Sequence, residues 1–90
     1  MFDLRVTPAA ERDLDKLKRQ IGKDEFKRIV SSIDTLIGKP FQYGVRKIKG
    51  KEDVFRVRVG RYRVIYRIND KLRILYIERV VRRNESTYNF

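Results

Sequence analysis

The feature that most constrains the fold is residues 54–68, VFRVRVGRYRVIYRI, in which apolar and polar side chains largely alternate. Alternation of this kind is typical of a β-strand with one buried face. Gly60 and Arg61 lie at its centre and suit a two-residue turn with glycine at the first central position. The segment therefore predicts a β-hairpin in which Arg58 lies directly opposite Arg63.

This register gives the hairpin two chemically distinct faces. The face predicted to be buried carries Phe55, Val57, Val59, Tyr62, Val64 and Tyr66. The opposite face carries Arg56, Arg58 and Arg63 around Ile65. Like charges directly opposite one another destabilise a sheet by up to about 1 kcal/mol a pair. Folding alone does not explain such a concentration of arginine, so we expect an anionic partner on this face.

The N-terminal half predicts a short strand followed by a helical hairpin. FDLRV, residues 2–6, alternates, and Thr7 followed by Pro8 signals a helix N-terminus. Gly22 is expected to end the first helix and Gly38 the second. The two apolar stripes, at helical spacing, are Ala10, Leu14, Leu17 and Ile21, then Phe26, Ile29, Val30, Ile33, Leu36 and Ile37.

From Val45 the hydrophobic period is two, which predicts four strands. They are VRKIK (45–49), VFRVRV (54–59), YRVIYRI (62–68) and LRILYIERVV (72–81). Short loops favour antiparallel neighbours. The expected fold class is α+β, in a single domain spanning 1–90: an N-terminal strand and a two-helix hairpin packed on an antiparallel, twisted four-stranded sheet.

The last strand connection can be placed in two registers. A three-residue loop at 69–71 is favoured because it puts Leu72, Ile74 and Tyr76 on the core face. That register also places Arg67 opposite Arg73 and Arg61 opposite Arg79. It predicts that Tyr62, Tyr66 and Tyr76 all pack in the core.

Charge narrows the class of partner. The chain has 23 Lys and Arg against 12 Asp and Glu, a net charge of +11, and almost all of this excess comes from residues 45–83. Nucleic acid, an acidic membrane surface and an acidic protein are the candidates. A guanidinium is a planar fork that binds two phosphate oxygens and keeps its charge. The arginine face is therefore predicted to bind a phosphate backbone.

Cysteine and histidine are both absent. Without cysteine there are no disulfides or thiolate metal sites, which fits a reducing compartment. Without histidine, the commonest metal ligand and neutral-pH proton carrier is missing. No stretch has the apolar length of a signal peptide or a membrane helix. We expect a cytoplasmic protein with no membrane partner.

IKGKEDVFRVRVGRYRVIYRI, followed by a hydrophobic strand and VVRRNESTY, closely resembles the RelE/ParE superfamily of toxin–antitoxin toxins, most of all the RelE messenger-RNA endonucleases. The resemblance covers essentially the whole chain. It implies cleavage of mRNA in the ribosomal decoding site by attack of the ribose 2′-hydroxyl on the adjacent phosphate, with no metal and no cofactor. It also implies a RelB-like antitoxin that wraps the toxin, the toxin alone being monomeric and the complex a hetero-oligomer.

The resemblance assigns the family's site residue by residue. Two basic positions of the active strand fall on Arg56 and Arg58, where family members often carry lysine. The phosphate-stabilising arginine falls on Arg63, and the C-terminal arginine and tyrosine fall on Arg82 and Tyr88. Stacking on a base is the expected role of Tyr88, because an ordinary tyrosine pKa near 10 is too high for an efficient base. Further RNA contacts are expected from Lys47, Lys49, Arg61, Arg67 and Arg83.

The group that accepts the proton of the 2′-hydroxyl stays open. A lysine pKa can be lowered by neighbouring cations, whereas arginine keeps its proton. Glu52, Glu78 and Glu85 remain as candidates, together with ribosomal groups. A structural partner is expected for Glu78, and Glu85 could simply pair with Arg82 or Arg83. Motif spacing in this segment varies between branches, so Arg83 also competes with Arg82 for the site.

Two other functions remain open. One is a ParE-like inhibitor of DNA gyrase that cleaves nothing; that branch generally lacks the full set of Arg63, Arg82 and Tyr88. The other is a non-catalytic RNA-binding or ribosome-binding module, whose affinity would fall steeply with salt.

Overall fold

The computed structural model describes residues 1–41 and 44–83. Its elements are β1 (Asp3–Val6), α1 (Pro8–Gln20), α2 (Lys23–Gly38), β2 (Arg46–Lys47), β3 (Val54–Val59), β4 (Tyr62–Asn69) and β5 (Ile74–Arg82). The five strands form one sheet in the order β1-β5-β4-β3-β2, and both helices pack against it. The predicted α+β architecture is confirmed. No helix in the described part of the chain is long and apolar enough to cross a membrane.

The sheet is mixed rather than wholly antiparallel. The pairs β2–β3, β3–β4 and β4–β5 are antiparallel, as predicted. The N-terminal strand, however, joins the sheet as a fifth strand: β1 runs parallel to β5, from Asp3 beside Ile74 to Val6 beside Ile77. Parallel neighbours need a long crossover, and the intervening helices and strands supply it.

The β3–β4 hairpin has the predicted register. Val59 lies opposite Tyr62 and Arg58 opposite Arg63. Gly60 has a φ of 58°, in the left-handed region that glycine adopts without a Cβ clash. The glycine therefore determines the turn, and the turn places Arg58 of β3 opposite Arg63 of β4.

The β4–β5 connection differs from the prediction. The loop comprises residues 70–73, and Asn69 lies opposite Ile74. Leu72, predicted to face the core, is 62% exposed in this loop. The prediction failed because ILYI (74–77) is apolar at every position, so both registers bury apolar side chains.

The corrected register also moves the arginines on these strands. Arg67 lies opposite Tyr76, not Arg73, and Arg79 lies opposite Ile65, not Arg61. Tyr76 is therefore on the arginine side of the sheet and not in the core. Of the three predicted arginine pairs across strands, only Arg58 with Arg63 is present in the described chain.

A β-bulge at Glu78 explains the change in pattern along β5. Tyr66 pairs with Ile77 but Ile65 pairs with Arg79, which leaves Glu78 as an extra residue. An extra residue reverses which side chains face the core. The Thr7 hydroxyl donates to the Glu78 carbonyl at 3.0 Å and accepts from the Ala10 nitrogen at 3.1 Å. The side chain that caps α1 thus also fixes the bulge.

The core lies between the helices and one face of the sheet. Its buried residues include Ile29 and Leu36 of α2, Tyr62, Val64 and Tyr66 of β4, and Leu75, Ile77 and Val80 of β5. The Tyr66 hydroxyl donates to the Pro40 carbonyl, and burial raises the pKa of Tyr66 above its ordinary value. The core thus covers one face of the sheet and leaves the arginine face for a partner.

Candidate nucleic-acid interface

The face of the sheet away from the helices carries two pairs of directly opposed arginines. Arg58 lies opposite Arg63, and Arg46 lies opposite Arg56. Directly opposite residues of antiparallel strands have Cα atoms about 4.5–5.5 Å apart, so each pair brings two positive side chains together. Arg46 is not among the residues predicted from the sequence, although the pattern VRKIK already distinguishes it from the apolar Val45.

A solvent-open cavity of about 380 Å³, which we call the arginine cavity, is lined by arginine alone among the residues that the structure describes. Its lining residues are Arg61, Arg63, Arg82 and Arg83. The backbone nitrogen of Arg83 donates to the Arg61 carbonyl at 2.7 Å, and the Arg83 side chain donates to the Gly60 carbonyl at 3.4 Å. These bonds hold the end of β5 beside the hairpin turn, and both Arg82 and Arg83 therefore reach the site.

A second cavity of about 380 Å³ lies towards the β2 edge of the sheet, and we call it the β2–β3 cavity. It is lined by Gly44, Arg46, Arg56 and Arg58. It shares no lining residue with the arginine cavity, but Arg58 of the one lies opposite Arg63 of the other. The positions that the resemblance assigns to a single site are therefore divided between two adjoining concavities.

Two of the predicted RNA-binding arginines pair with acids of the chain itself. Arg61 donates two hydrogen bonds to Glu25 of α2, each 3.1 Å long. The bond from Arg61 lowers the pKa of Glu25 below its ordinary value, and the bond to Glu25 raises the pKa of Arg61. Glu25 is distant in sequence from the hairpin, so no local sequence pattern predicts this ion pair.

Arg67 is the second arginine with an internal partner. Its Nε donates to Glu78 at 3.2 Å, and its guanidinium lies 4.2 Å from the centroid of the Tyr76 ring. This confirms the expected structural partner for Glu78. Arg67 lines neither the arginine cavity nor the β2–β3 cavity.

The predicted lysines line neither the arginine cavity nor the β2–β3 cavity. Lys47 and Lys49, with Lys51, line a shallow hollow of about 460 Å³ around the turn that follows β2. Glu52 lies in the same hollow.

A family model described as the ParE toxin of the type II toxin–antitoxin system parDE matches residues 4–87. The chain belongs to this family. The curated chain named RelE1 of Methanocaldococcus jannaschii is 27% identical over 88 residues, which cover 98% of this chain and 97% of that one. The protein is thus a toxin of the RelE/ParE superfamily.

Solved structures of this superfamily share the fold of the toxin. The RelE–RelB complex of Pyrococcus horikoshii aligns with a TM-score of 0.75 at 24% identity, over 94% of this chain and 98% of that chain. The RelBE2 toxin–antitoxin complex of Mycobacterium tuberculosis aligns with a TM-score of 0.72 at 27% identity, over 91% and 98%. Both are toxins crystallised with their antitoxins.

The remaining sequence-predicted residues of the toxin are Tyr88 and Glu85, which lie outside the described residues. Among the residues that are described, no carboxylate lines the arginine cavity. Glu25 is the acid beside it, and that carboxylate is engaged by Arg61. The cavity as described therefore offers cations to a phosphate but no proton acceptor.

Proposed function

We propose that this toxin is a metal-independent endoribonuclease that cleaves mRNA in the ribosomal decoding site and so inhibits translation. The observation that carries the proposal is the arginine cavity, a space of about 380 Å³ lined by four arginine residues and, within the described chain, by no carboxylate. A phosphodiester is the ligand that such a space suits, because each guanidinium binds phosphate oxygens in pairs.

The chemistry requires little more than charge and position. The ribose 2′-hydroxyl loses its proton to a base as its oxygen forms a bond to phosphorus. The bond from phosphorus to the 5′-oxygen breaks, and the 5′-oxygen takes up a proton from water, so the products end in a 2′,3′-cyclic phosphate and a 5′-hydroxyl. Negative charge grows on the phosphate oxygens in the transition state. Arg63, Arg82 and Arg83, which line the arginine cavity, would stabilise that charge, and removing one preorganised donor of this kind typically costs about 10²–10³ in rate.

Orientation of the strand is the second contribution. Arg56 and Arg58, in the β2–β3 cavity, would hold the backbone of the same RNA strand, and Tyr88 would stack on a base and splay it from its neighbour. Fixing the 2′-oxygen in line with the leaving oxygen lowers the barrier without any further chemistry. The proton acceptor is assigned to Glu85 or to a ribosomal group.

A RelB-like antitoxin is the proposed cellular partner, forming a hetero-oligomer with a toxin that is otherwise monomeric and cytoplasmic. Two of the similar solved structures are a RelE–RelB complex and a RelBE2 toxin–antitoxin complex, which supports this proposal. Expression of the toxin alone should arrest growth, and co-expression with its antitoxin should restore it.

Inhibition of DNA gyrase is the second candidate, because the matching family model is described as a ParE toxin. The test is to incubate the toxin with programmed ribosomes and map the message ends, with a gyrase supercoiling assay in parallel. We expect cuts within the ribosome-bound codon, cyclic-phosphate ends and unchanged supercoiling. If the message stays intact at stoichiometric toxin and supercoiling is blocked, the toxin is an inhibitor of DNA gyrase instead. Intact message with salt-sensitive RNA binding alone would indicate a non-catalytic module.

A further inference from the structure

The β2–β3 cavity contains a basic residue that the family resemblance does not assign. Arg46 lies on the two-residue strand β2, at the sheet edge opposite to β1, and its side chain is exposed. It completes a concavity whose other side chains are Arg56 and Arg58. Gly44, with a φ of 89°, contributes only backbone to the wall.

Like charges lie close together in this cavity. Arg46 lies directly opposite Arg56, and like charges so placed destabilise a sheet by up to about 1 kcal/mol. Within the described chain no carboxylate lines the cavity, and neither Arg46 nor Arg58 forms an ion pair. A bound anion would convert this repulsion into attraction, and phosphate matches the guanidinium geometry.

Sheet geometry sets the distance between the two cavities. Strands β4, β3 and β2 are neighbours, and the step from the Arg58–Arg63 pair to the Arg46–Arg56 pair is two residues along β3. With strands about 4.8 Å apart and about 3.4 Å per residue, the Cα atoms of Arg63 and Arg46 are roughly 12 Å apart. Because a stacked strand rises about 3.4 Å per nucleotide, this distance spans a few nucleotides.

We propose that Arg46, together with Arg56 and Arg58, binds a second phosphate of the same RNA strand, a few nucleotides from the phosphate held in the arginine cavity. Arg46 thereby sets the length of single-stranded RNA that the toxin grips. The inference rests on the proposed function, because that function identifies the bound strand as RNA. It does not depend on whether the toxin cleaves that strand.

The test is binding of 2′-O-methylated RNA, which cannot be cleaved by 2′-hydroxyl attack, in trinucleotide and octanucleotide lengths over a range of salt. Arg46→Ala should weaken octanucleotide binding about fivefold near 0.1 M salt and reduce the slope of log affinity against log salt by about 0.7, the value for one phosphate of a single strand. Trinucleotide binding should be unchanged. Arg46→Lys should keep most of the salt slope.

The matched control is Arg5→Ala, which removes an exposed arginine from β1, the other edge of the sheet. Equal losses in the two variants would show general electrostatics and overturn the proposal. So would an equal loss for both RNA lengths, or a wild-type protein that does not bind the octanucleotide. If the toxin fails to cleave message on ribosomes but still binds RNA in an Arg46-dependent way, the proposed function is wrong and the second phosphate site is supported.

Discussion

The carboxylate of Asp13 on α1 accepts two hydrogen bonds from the Arg79 guanidinium, of 2.7 and 3.1 Å, and a third from the Val80 nitrogen at 2.9 Å. Strand β1 covers β5 only as far as Ile77. Beyond that point the Asp13 carboxylate takes the place of a neighbouring strand and accepts the hydrogen bond of the Val80 nitrogen. The segment that it holds leads directly into Arg82, so a helix side chain helps to place the C-terminal half of the candidate site.

Removal of this carboxylate should destabilise the fold. Asp13 and Arg79 are 16% and 33% exposed, and a hydrogen bond to a charged group typically contributes about 1.5–3 kcal/mol. Asp13→Ala should therefore lower the free energy of unfolding, measured in urea, by about 2–3 kcal/mol. Asp15→Ala, on the exposed side of the same helix, should change it by less than about 0.5 kcal/mol. Similar losses in both variants would contradict the role given to Asp13.

The pair between Glu25 and Arg61 should make the hairpin turn sensitive to acid. Because its folded-state pKa is lowered by the Arg61 hydrogen bond, Glu25 contributes stability above the ordinary glutamate pKa and loses it as pH falls through the lowered value. Wild type should be more stable than Glu25→Gln at neutral pH, and the difference should vanish in strong acid. Urea unfolding across that range measures it. A difference independent of pH would refute the ion pair.

Tyr66 should show the opposite dependence on pH. Its hydroxyl donates to the Pro40 carbonyl, and burial raises its pKa, so its contribution is present below the ordinary tyrosine pKa and lost as pH rises towards the raised value. Tyr66→Phe should cost about 1 kcal/mol near neutrality. That cost should shrink in alkaline urea titrations. A variant as stable as wild type at neutral pH would show that the hydrogen bond contributes nothing.

Local chemistry made part of this fold predictable. Gly60 and the alternation on either side of it specify one turn and one register, so the opposition of Arg58 and Arg63 followed from neighbouring residues alone. Thr7 and Pro8 likewise specify the start of α1. In each case the residues that decide the structure are close together in the sequence.

The rest depends on contacts between distant segments. The bulge at Glu78 is held partly by Thr7, and the partner of Arg61 comes from α2. Neither contact can be predicted from the local hydrophobic pattern. The parallel pairing of β1 with β5 is of the same kind. For the site, the arginines could be found from the sequence, but the acids beside Arg61 and Arg67 could not, because Glu25 comes from α2 and Glu78 from the bulge in β5.

The most direct test of the account is single-turnover cleavage of ribosome-bound message by wild type, Arg63→Ala and Arg5→Ala, with melting curves to verify that each variant is folded. If the arginine cavity stabilises the transition state, Arg63→Ala should be about 100-fold slower or more, and Arg5→Ala should match wild type. A folded Arg63→Ala that cleaves within a few-fold of wild type, or a wild type that leaves the message intact, would contradict it.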